Sequence, residues 1–142
     1  IKNIVNHLTI NKIPVMGHIG ILPQLVRGKF KSKGKSGKEK KQLMRDAVIL
    51  EEMGCFGVVL ECIEKNLSNK ITKAIKIPTI GIGSSNCCDG QILVTDDLLG
   101  LTNSKIKFVK KYVDLKKYIR KGVKKFRSEV INKKYPTKRY SY

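Results

Sequence analysis

The stretch GVVLECI, residues 57–63, decides the fold class of this 142-residue chain. Its apolar residues Val58, Val59 and Leu60 are consecutive, which predicts a strand buried on both faces, as in the parallel sheets of α/β proteins. Glu61 follows them with no turn residue between. A carboxylate at the end of a buried strand is unfavourable unless it is paired or has a chemical role. The stretch therefore predicts a parallel sheet with a paired or functional glutamate at the end of one strand.

Further strand and helix patterns alternate on both sides of this stretch. Buried strands are predicted at residues 13–20 (IPVMGHIG), 56–62, 77–83 (IPTIGIG) and 91–95 (QILVT). Apolar residues spaced three and four apart predict helices at residues 39–53, 64–75, 106–112 and 115–131. Alternating strands and helices imply parallel pairing with right-handed crossovers. The fold class is therefore α/β, either an open doubly wound sheet or part of a (β/α)₈ barrel, since a full barrel needs about 250 residues.

In both architectures, function collects at the carboxyl ends of the strands. His18 lies at the end of the first predicted strand, Glu61 ends the second and Gly83 ends the third, so we expect all three at one mouth of the sheet. His18 alone is as consistent with a core histidine as with a site, and Glu61 alone is more typical of a structural ion pair. Together they favour a site, because a desolvated carboxylate is a stronger base, which suits general-base catalysis near neutral pH.

The sequence GIGSS, residues 81–85, is a weak signal for a phosphate-binding loop. It lacks both the full GxGxxG spacing before a helix and the lysine of a Walker motif. A glycine-rich strand end that leaves room for a substrate, or for close packing, is the better interpretation.

The chain carries a formal net charge of +19, from 30 lysines and arginines against 11 aspartates and glutamates. Such a charge is compatible with nucleic-acid binding through phosphate contacts. Lysine outnumbers arginine, however, and aromatic residues do not alternate with basic ones on any predicted strand, so neither base recognition nor a stacking platform is indicated. We therefore favour solvated, lysine-rich helix faces, with a basic nucleic-acid-binding module as the alternative from a different functional class.

The four cysteines, Cys55, Cys62, Cys87 and Cys88, include no CxxC pair, which argues against a structural zinc site. The sequence shows no secretory signal pattern, and no apolar run approaches the about 20 residues of a membrane span. We expect reduced thiols and a cytoplasmic location. Because the chain begins with Ile1 and not with Met, we expect either a processed chain or a piece of a longer one.

Four segments occur in a characteristic order: PVMGHIGILPQ (14–24), VVLECI (58–63), IPTIGIG (77–83) and DGQILVTDDLLGL (89–101). In order and spacing they resemble the ketopantoate hydroxymethyltransferase family, also called the 3-methyl-2-oxobutanoate hydroxymethyltransferases, and the resemblance covers essentially the whole chain. It implies a parallel (β/α)₈ TIM barrel of the phosphoenolpyruvate/pyruvate type. Residues 1–113 would form the C-terminal half of that barrel, about strands five to eight, and residues 114–142 the C-terminal helix and basic tail of the same domain.

The resemblance also implies a reaction. Family members transfer a hydroxymethyl group from 5,10-methylenetetrahydrofolate to 3-methyl-2-oxobutanoate (α-ketoisovalerate), which gives 2-dehydropantoate (ketopantoate) for pantothenate and coenzyme A biosynthesis. A Mg²⁺ ion chelates the keto acid, a glutamate removes its C3 proton, and the metal-stabilised enolate attacks the folate methylene. By position in the motifs, the glutamate corresponds to Glu61, and the histidine that hydrogen-bonds the keto acid corresponds to His18. The apolar residues that line the substrate pocket correspond to Ile82, Ile92 and Val94.

The resemblance places the family's metal ligands, and a lysine that helps to hold substrate, before Ile1. Asp89, Asp96 and Asp97 do not occupy ligand positions of the family, so we assign no metal ligand to this chain. We therefore expect it to need an N-terminal half, in cis or in trans, or else to be an inactive truncated product. Because a half-barrel has unpaired strand edges and the family forms large rings of subunits, we also expect a homo-oligomer.

Two segments depart from the family pattern. The loop after the first strand is VRGKFKSKGKSGK (26–38), which is more basic than the family's GGYKVQGR-like sequence and lacks its Tyr-Lys-Val-Gln core. This difference bears on how the loop would close over the active site. The family's IGIGAG is IGIGSS here, so Ser84 stands where the family has alanine.

Overall fold

The computed structural model describes residues 2–25 and 31–142 of the chain. The chain divides into two compact units, Ile1–Ile92 and Leu93–Tyr142. Residues 26–30, which belong to the lysine-rich loop, lie outside the described residues. Among the helices that the structure describes, none is long and apolar enough to cross a lipid bilayer.

The first unit alternates helices and strands. It contains helices α1 (Lys2–Ile10), α2 (Gly37–Glu52) and α3 (Lys65–Ala74), strands β1 (Met16–Gly20), β2 (Gly57–Glu61), β3 (Thr79–Ile82) and β4 (Gly90–Gln91), and a short 3₁₀ turn at Pro23–Leu25. The four strands form one sheet in the order β1-β2-β3-β4, and each adjacent pair is parallel. The predicted α/β class is confirmed, and the arrangement is consistent with part of a TIM barrel of the phosphoenolpyruvate/pyruvate type.

Local hydrogen bonds define where α2 begins and ends. The Ser36 hydroxyl accepts a hydrogen bond from the N–H of Glu39 (3.2 Å), and the Glu39 carboxylate accepts from the N–H groups of Gly34 and Lys35 (3.1 and 3.2 Å). This reciprocal capping satisfies backbone donors that a helix start leaves unpaired, and loss of such a cap typically costs about 1 kcal/mol. Gly54, with φ at +80°, provides the left-handed residue that stops the helix.

A carboxylate caps the start of α3. The side chain of Glu64 accepts hydrogen bonds from the N–H of Asn66 (3.0 Å) and the N–H of Leu67 (3.1 Å). These backbone bonds, the one from Asn66 foremost, hold the pKa of Glu64 below its ordinary value. The predicted helix at residues 64–75 is confirmed as Lys65–Ala74, since Glu64 and Ile75 are its two caps.

The hydrophobic core of the first unit lies on the face of the sheet that α2 and α3 cover. Its buried members from strands and helices include Ile19, Val58, Leu60, Ala47, Leu67 and Ile71. Burial of each large aliphatic side chain contributes about 1.5–3 kcal/mol. Gly17 allows α2 to approach β1 closely, because a Cβ atom there would lie 2.7 Å from Cδ1 of Leu50.

The opposite face of the sheet carries His18 of β1, Val59 and Glu61 of β2, and Ile82 of β3. Side chains alternate along a strand, so residues two apart share a face. The parallel register sets His18 beside Val59 and Glu61 beside Ile82. The predicted histidine and glutamate therefore lie on one face, near the carboxyl ends of adjacent strands.

The second unit, described on its own, is helical. It contains α4 (Thr95–Leu98), α5 (Leu115–Ile131) and a 3₁₀ turn at Lys138–Tyr140. The predicted bounds of α5 are confirmed, and its start is capped by the Asp114 side chain, which accepts from the N–H of Lys117 (3.3 Å). None of the described residues of α5 is buried, although its sequence is amphipathic.

The prediction of a fourth strand at residues 91–95 was wrong in its bounds. The strand is Gly90–Gln91, and Thr95 already begins α4. The first turn of α4 contains Asp96 and Asp97, and acidic side chains at that place stabilise a helix start. The local preference for a helix therefore overrides the apolar run that indicated a strand.

Two further predictions about helices were wrong or incomplete. Residues 106–112 form a turn and irregular structure, not a helix. Lys107 and Lys111 would stand four apart on such a helix, where like charges repel. The helix α1 was not predicted, because Val5 is its one buried residue among those described, which leaves little apolar periodicity.

Candidate active site at the strand ends

Glu61 is the last residue of β2 and is held by both neighbouring strands. Its register partners are Gly20 at the end of β1 and Ile82 at the end of β3. The carbonyl oxygen of Glu61 accepts a hydrogen bond from the N–H of Ile21 (3.0 Å). Its side chain is 11% exposed. The carboxylate thus starts from a well-defined backbone position and is mostly removed from water.

Gly20 is required for this arrangement. Its φ is +112°, a region that residues with a side chain rarely adopt, and a Cβ atom there would lie 2.1 Å from the carbonyl oxygen of Glu61. The absence of a side chain lets the chain leave β1 and bring the Ile21 N–H onto Glu61. Sequence reasoning did not single out Gly20, although a glycine two residues after His18 at a strand end was a usable signal.

His18 lies against the carboxylate of Glu61. The Nε2 atom of His18 is 3.1 Å from Oε2 of Glu61, and the histidine side chain is one third exposed. The pair is ionic when the imidazole is protonated, and a neutral imidazole with its proton on Nε2 can instead donate a hydrogen bond. The structure therefore brings together the two residues that the sequence placed at one mouth.

The backbone turns sharply after Glu61. Cys62 has φ at +52°, its N–H donates to the carbonyl of Ile82 (2.9 Å), and its carbonyl accepts from the N–H of Lys33 (2.8 Å). Burial, together with the neighbouring Glu61 carboxylate, raises the pKa of the Cys62 thiol to about 11. This thiol is therefore protonated near neutral pH and is a poor nucleophile or metal ligand. Among the described residues, the four cysteines form no disulfide.

The three predicted apolar site residues lie in different surroundings. Ile82 is buried and pairs in register with Glu61. Ile92 is half exposed and extends the pairing beyond β4, since its N–H donates to the carbonyl of Gly81 (3.0 Å). Val94 is half exposed and precedes α4 in the second unit. Of the three, Ile82 is the one in register with Glu61.

The described residues do not provide a metal site. No group of three or more His, Cys, Asp or Glu side chains within residues 2–25 and 31–142 is placed to hold an ion. The carboxylate of Asp89 accepts two hydrogen bonds from Thr79, one from its N–H and one from its hydroxyl, both 2.8 Å long. Asp97 accepts the hydroxyl of Thr102. These two aspartates are engaged in local structure.

A cavity of about 410 Å³ opens between α2 and α3, on the helix side of the sheet. It is lined by Lys40, Lys41, Met44, Arg45, Glu64, Asn66, Leu67 and Lys70. None of the predicted site residues lines this cavity. Its basic side chains are typical of the solvated helix surfaces of a lysine-rich chain. We therefore place the candidate active site at the strand ends and not in this cavity.

Comparison with known proteins shows the family of this chain. The family model of ketopantoate hydroxymethyltransferase matches residues 1–138. The chain belongs to the ketopantoate hydroxymethyltransferase family. It is 52% identical, over 139 residues, to a protein of Pelagibacter ubique (strain HTCC1062) named 3-methyl-2-oxobutanoate hydroxymethyltransferase; the match covers 98% of this chain and 54% of that protein.

Other family members give the same result. Proteins of the same name from Francisella tularensis subsp. tularensis (strain FSC 198) and Aliarcobacter butzleri (strain RM4018) are 43% and 42% identical over 143 residues. These matches cover 99% of this chain but 54% and 53% of the two relatives. The chain thus spans about half the length of the curated family members that it matches, and it corresponds to their C-terminal half.

Proposed function

We propose that this chain supplies the general base for hydroxymethyl transfer to 3-methyl-2-oxobutanoate, and that the base is Glu61. One observation carries the proposal: the Glu61 carboxylate is nearly buried at the carboxyl end of β2, 3.1 Å from Nε2 of His18. The carboxyl ends of parallel strands are where this class of fold builds its active sites. The names of the relatives support the reaction, and the position of Glu61 at the strand end supports its choice as the base.

The first proposed step is removal of the C3 proton of the keto acid. Glu61 accepts this proton on a carboxylate oxygen, and the electron pair of the C3–H bond moves toward the C2 carbonyl to form an enolate. A base held in a desolvated site is more effective than one in water, and a positioned base typically contributes about 10²- to 10⁴-fold to a rate. The low exposure of the Glu61 side chain supports this role.

The second proposed step forms the new carbon–carbon bond. C3 of the enolate attacks the one-carbon unit of 5,10-methylenetetrahydrofolate, and the carbon–nitrogen bonds to that unit break. Water supplies the hydroxyl oxygen, so that keto acid, methylenetetrahydrofolate and water give 2-dehydropantoate and tetrahydrofolate. The proton that Glu61 holds passes to one of the two freed folate nitrogens, water supplies the proton for the other, and the base is regenerated.

We propose that His18 hydrogen-bonds the bound keto acid and orients Glu61. Its side chain is one third exposed on the same face of the sheet, so a ligand on that face can reach it. Ile82, Ile92 and Val94 are proposed to contact the branched apolar end of the substrate. Ile82 has support from its register with Glu61, while the roles of Ile92 and Val94 rest on their positions in the family motif.

The family resemblance implies Mg²⁺, which would polarise the keto group as a Lewis acid. The described residues do not fit such an ion, since no three His, Cys, Asp or Glu side chains among them are placed to hold it. We propose that its ligands come from the N-terminal half of the complete protein, in cis or in trans. A homo-oligomer and a cytoplasmic location are likewise proposed.

The proposal is tested by formation of 2-dehydropantoate in the complete native protein that contains this chain. Glu61→Gln keeps the size of the side chain and removes its basicity, so product formation should fall at least about 100-fold. Glu52→Gln is the matched control, because Glu52 is an exposed glutamate at the end of α2. Circular dichroism and the thermal midpoint establish that both variants fold. Product formation by Glu61→Gln at the rate of Glu52→Gln would refute the assignment of the base.

A further inference from the structure

The hydroxyl of Ser84 spans the backbone on both sides of Glu61. Its Oγ donates a hydrogen bond to the carbonyl oxygen of Leu60 (2.6 Å) and accepts one from the N–H of Ile63 (3.1 Å). Leu60 and Ile63 are both buried, so these backbone groups have little access to water. One side chain after β3 thus joins the residue before Glu61 to the second residue after it.

The segment that Ser84 spans departs from ordinary strand geometry. Cys62 has φ at +52°, and such left-handed conformations in residues with a side chain persist only where the surroundings fix them. Buried backbone N–H groups are nearly always paired, and among the described residues Ser84 is the acceptor for Ile63. The hydroxyl therefore supports the turn that follows the proposed base.

We propose that Ser84 is a positioning residue that orients the Glu61 carboxylate through this double hydrogen bond. The inference rests on the proposed function of Glu61. A displacement of a reacting group by about 1 Å can reduce a rate about 100-fold, and loss of the bridge frees the backbone on both sides of the base.

The neighbouring Ser85 provides a matched control. It is buried, and its hydroxyl is also hydrogen-bonded, but it donates to the side chain of Asn69 and accepts from the N–H of Cys87 (3.1 Å). These partners lie on α3 and on the loop before β4, not on β2. Ser85→Ala therefore removes a buried hydroxyl of the same kind without touching the backbone around Glu61.

The test is steady-state kinetics of the complete protein with Ser84→Ala, Ser84→Thr and Ser85→Ala. Ser84→Ala should lower kcat about 10- to 100-fold while KM for the keto acid stays within about twofold, since the base is misplaced but the substrate site is kept. Ser84→Thr, which retains a hydroxyl, should recover most of kcat. Ser85→Ala should lower the thermal midpoint and leave kcat within about twofold of wild type.

Two results would overturn the inference: a wild-type kcat in Ser84→Ala, or an equal loss of kcat in Ser84→Ala and Ser85→Ala. If Ser84→Ala does not fold, Ser84→Cys carries the same test, because a thiol is a weak hydrogen-bonding group. The outcome is separable from the proposed function. If Glu61→Gln keeps its activity, Glu61 is not the base and the proposed function is refuted. If Glu61→Gln is inactive but Ser84→Ala is fully active, only the positioning role of Ser84 is refuted.

Discussion

Glu61 and Asp89 are two carboxylates at opposite ends of the same parallel sheet. Asp89 lies at the amino end, where it accepts 2.8 Å hydrogen bonds from both the N–H and the hydroxyl of Thr79. Glu61 lies at the carboxyl end, where its close side-chain partner is Nε2 of His18 at 3.1 Å. The first carboxylate is tied to the backbone and hydroxyl of Thr79, and the second lies against an imidazole.

This difference decides what each carboxylate can do. The hydrogen bonds from Thr79, its backbone N–H foremost, hold the pKa of Asp89 below its ordinary value of 3.8 and make it a weaker base. The partner of Glu61 is an imidazole, which can donate a hydrogen bond from one ring nitrogen and accept one at the other. Within one sheet, the carboxylate at the amino end is engaged in structure, and the carboxylate at the carboxyl end is the one that we propose as the base.

The largest expected effect is a contrast between amide substitutions at the two ends. Product formation should fall at least about 100-fold in Glu61→Gln, while Asp89→Asn should keep its activity per folded molecule within about twofold. The measurement is the specific activity of the complete protein, corrected for the folded fraction from circular dichroism. A loss of activity in Asp89→Asn comparable to that in Glu61→Gln would break the comparison.

The second-largest expected effect is a loss of stability when Gly20, whose backbone lies against that of Glu61, is substituted. Gly20→Ala should destabilise the protein by more than about 2 kcal/mol, because the residue has φ at +112° and its new Cβ would lie 2.1 Å from the Glu61 carbonyl oxygen. Urea denaturation measures this loss.

Gly37→Ala is the control for that substitution. Gly37 lies in the first turn of α2, and a Cβ atom there would have no neighbour within 4 Å. Alanine is favoured over glycine in a helix, so the free energy of unfolding should rise by up to about 1 kcal/mol. Equal destabilisation by the two substitutions would show that the close approach at Gly20 is not what fixes Glu61.

The smallest effect concerns acid stability at the amino end. Because folding lowers the pKa of Asp89, its contribution to stability is complete above its unfolded pKa near 3.8 and is lost as pH falls through the lower folded value. The side chain is exposed, so the contribution is less than about 1 kcal/mol. Urea denaturation at pH 7 and pH 3 should show a larger loss for wild type than for Asp89→Asn, and identical losses would contradict the account.

The sequence predicted the parts of the fold that depend on local patterns. Consecutive apolar residues such as Val58, Val59 and Leu60 indicated buried strands, and their alternation with amphipathic helices favoured a parallel sheet. The amphipathic spacing placed α5 at Leu115–Ile131. The bounds of the fourth strand were predicted wrongly because an apolar run does not show whether a neighbouring strand continues beside it. The neighbouring strand β3 ends at Ile82.

The sequence predicted that His18 and Glu61 lie near each other, but not how their side chains touch. Strand order alone placed His18 and Glu61 at one mouth, since both follow apolar strand residues. The 3.1 Å approach of the two side chains depends on parallel register across β1 and β2, which no local pattern specifies. Ser84 was visible only as part of GIGSS, because its partners Leu60 and Ile63 are more than 20 positions away along the chain.

The central claim is that Glu61 removes the C3 proton of 3-methyl-2-oxobutanoate. Exchange of that proton with solvent deuterium, followed by proton NMR in D₂O without any folate, isolates this step from the later carbon–carbon bond formation. In the complete protein, wild type, Glu52→Gln and Asp89→Asn should exchange C3 at similar rates, while Glu61→Gln should be slower by at least about 100-fold. Exchange by folded Glu61→Gln at the wild-type rate would contradict the account.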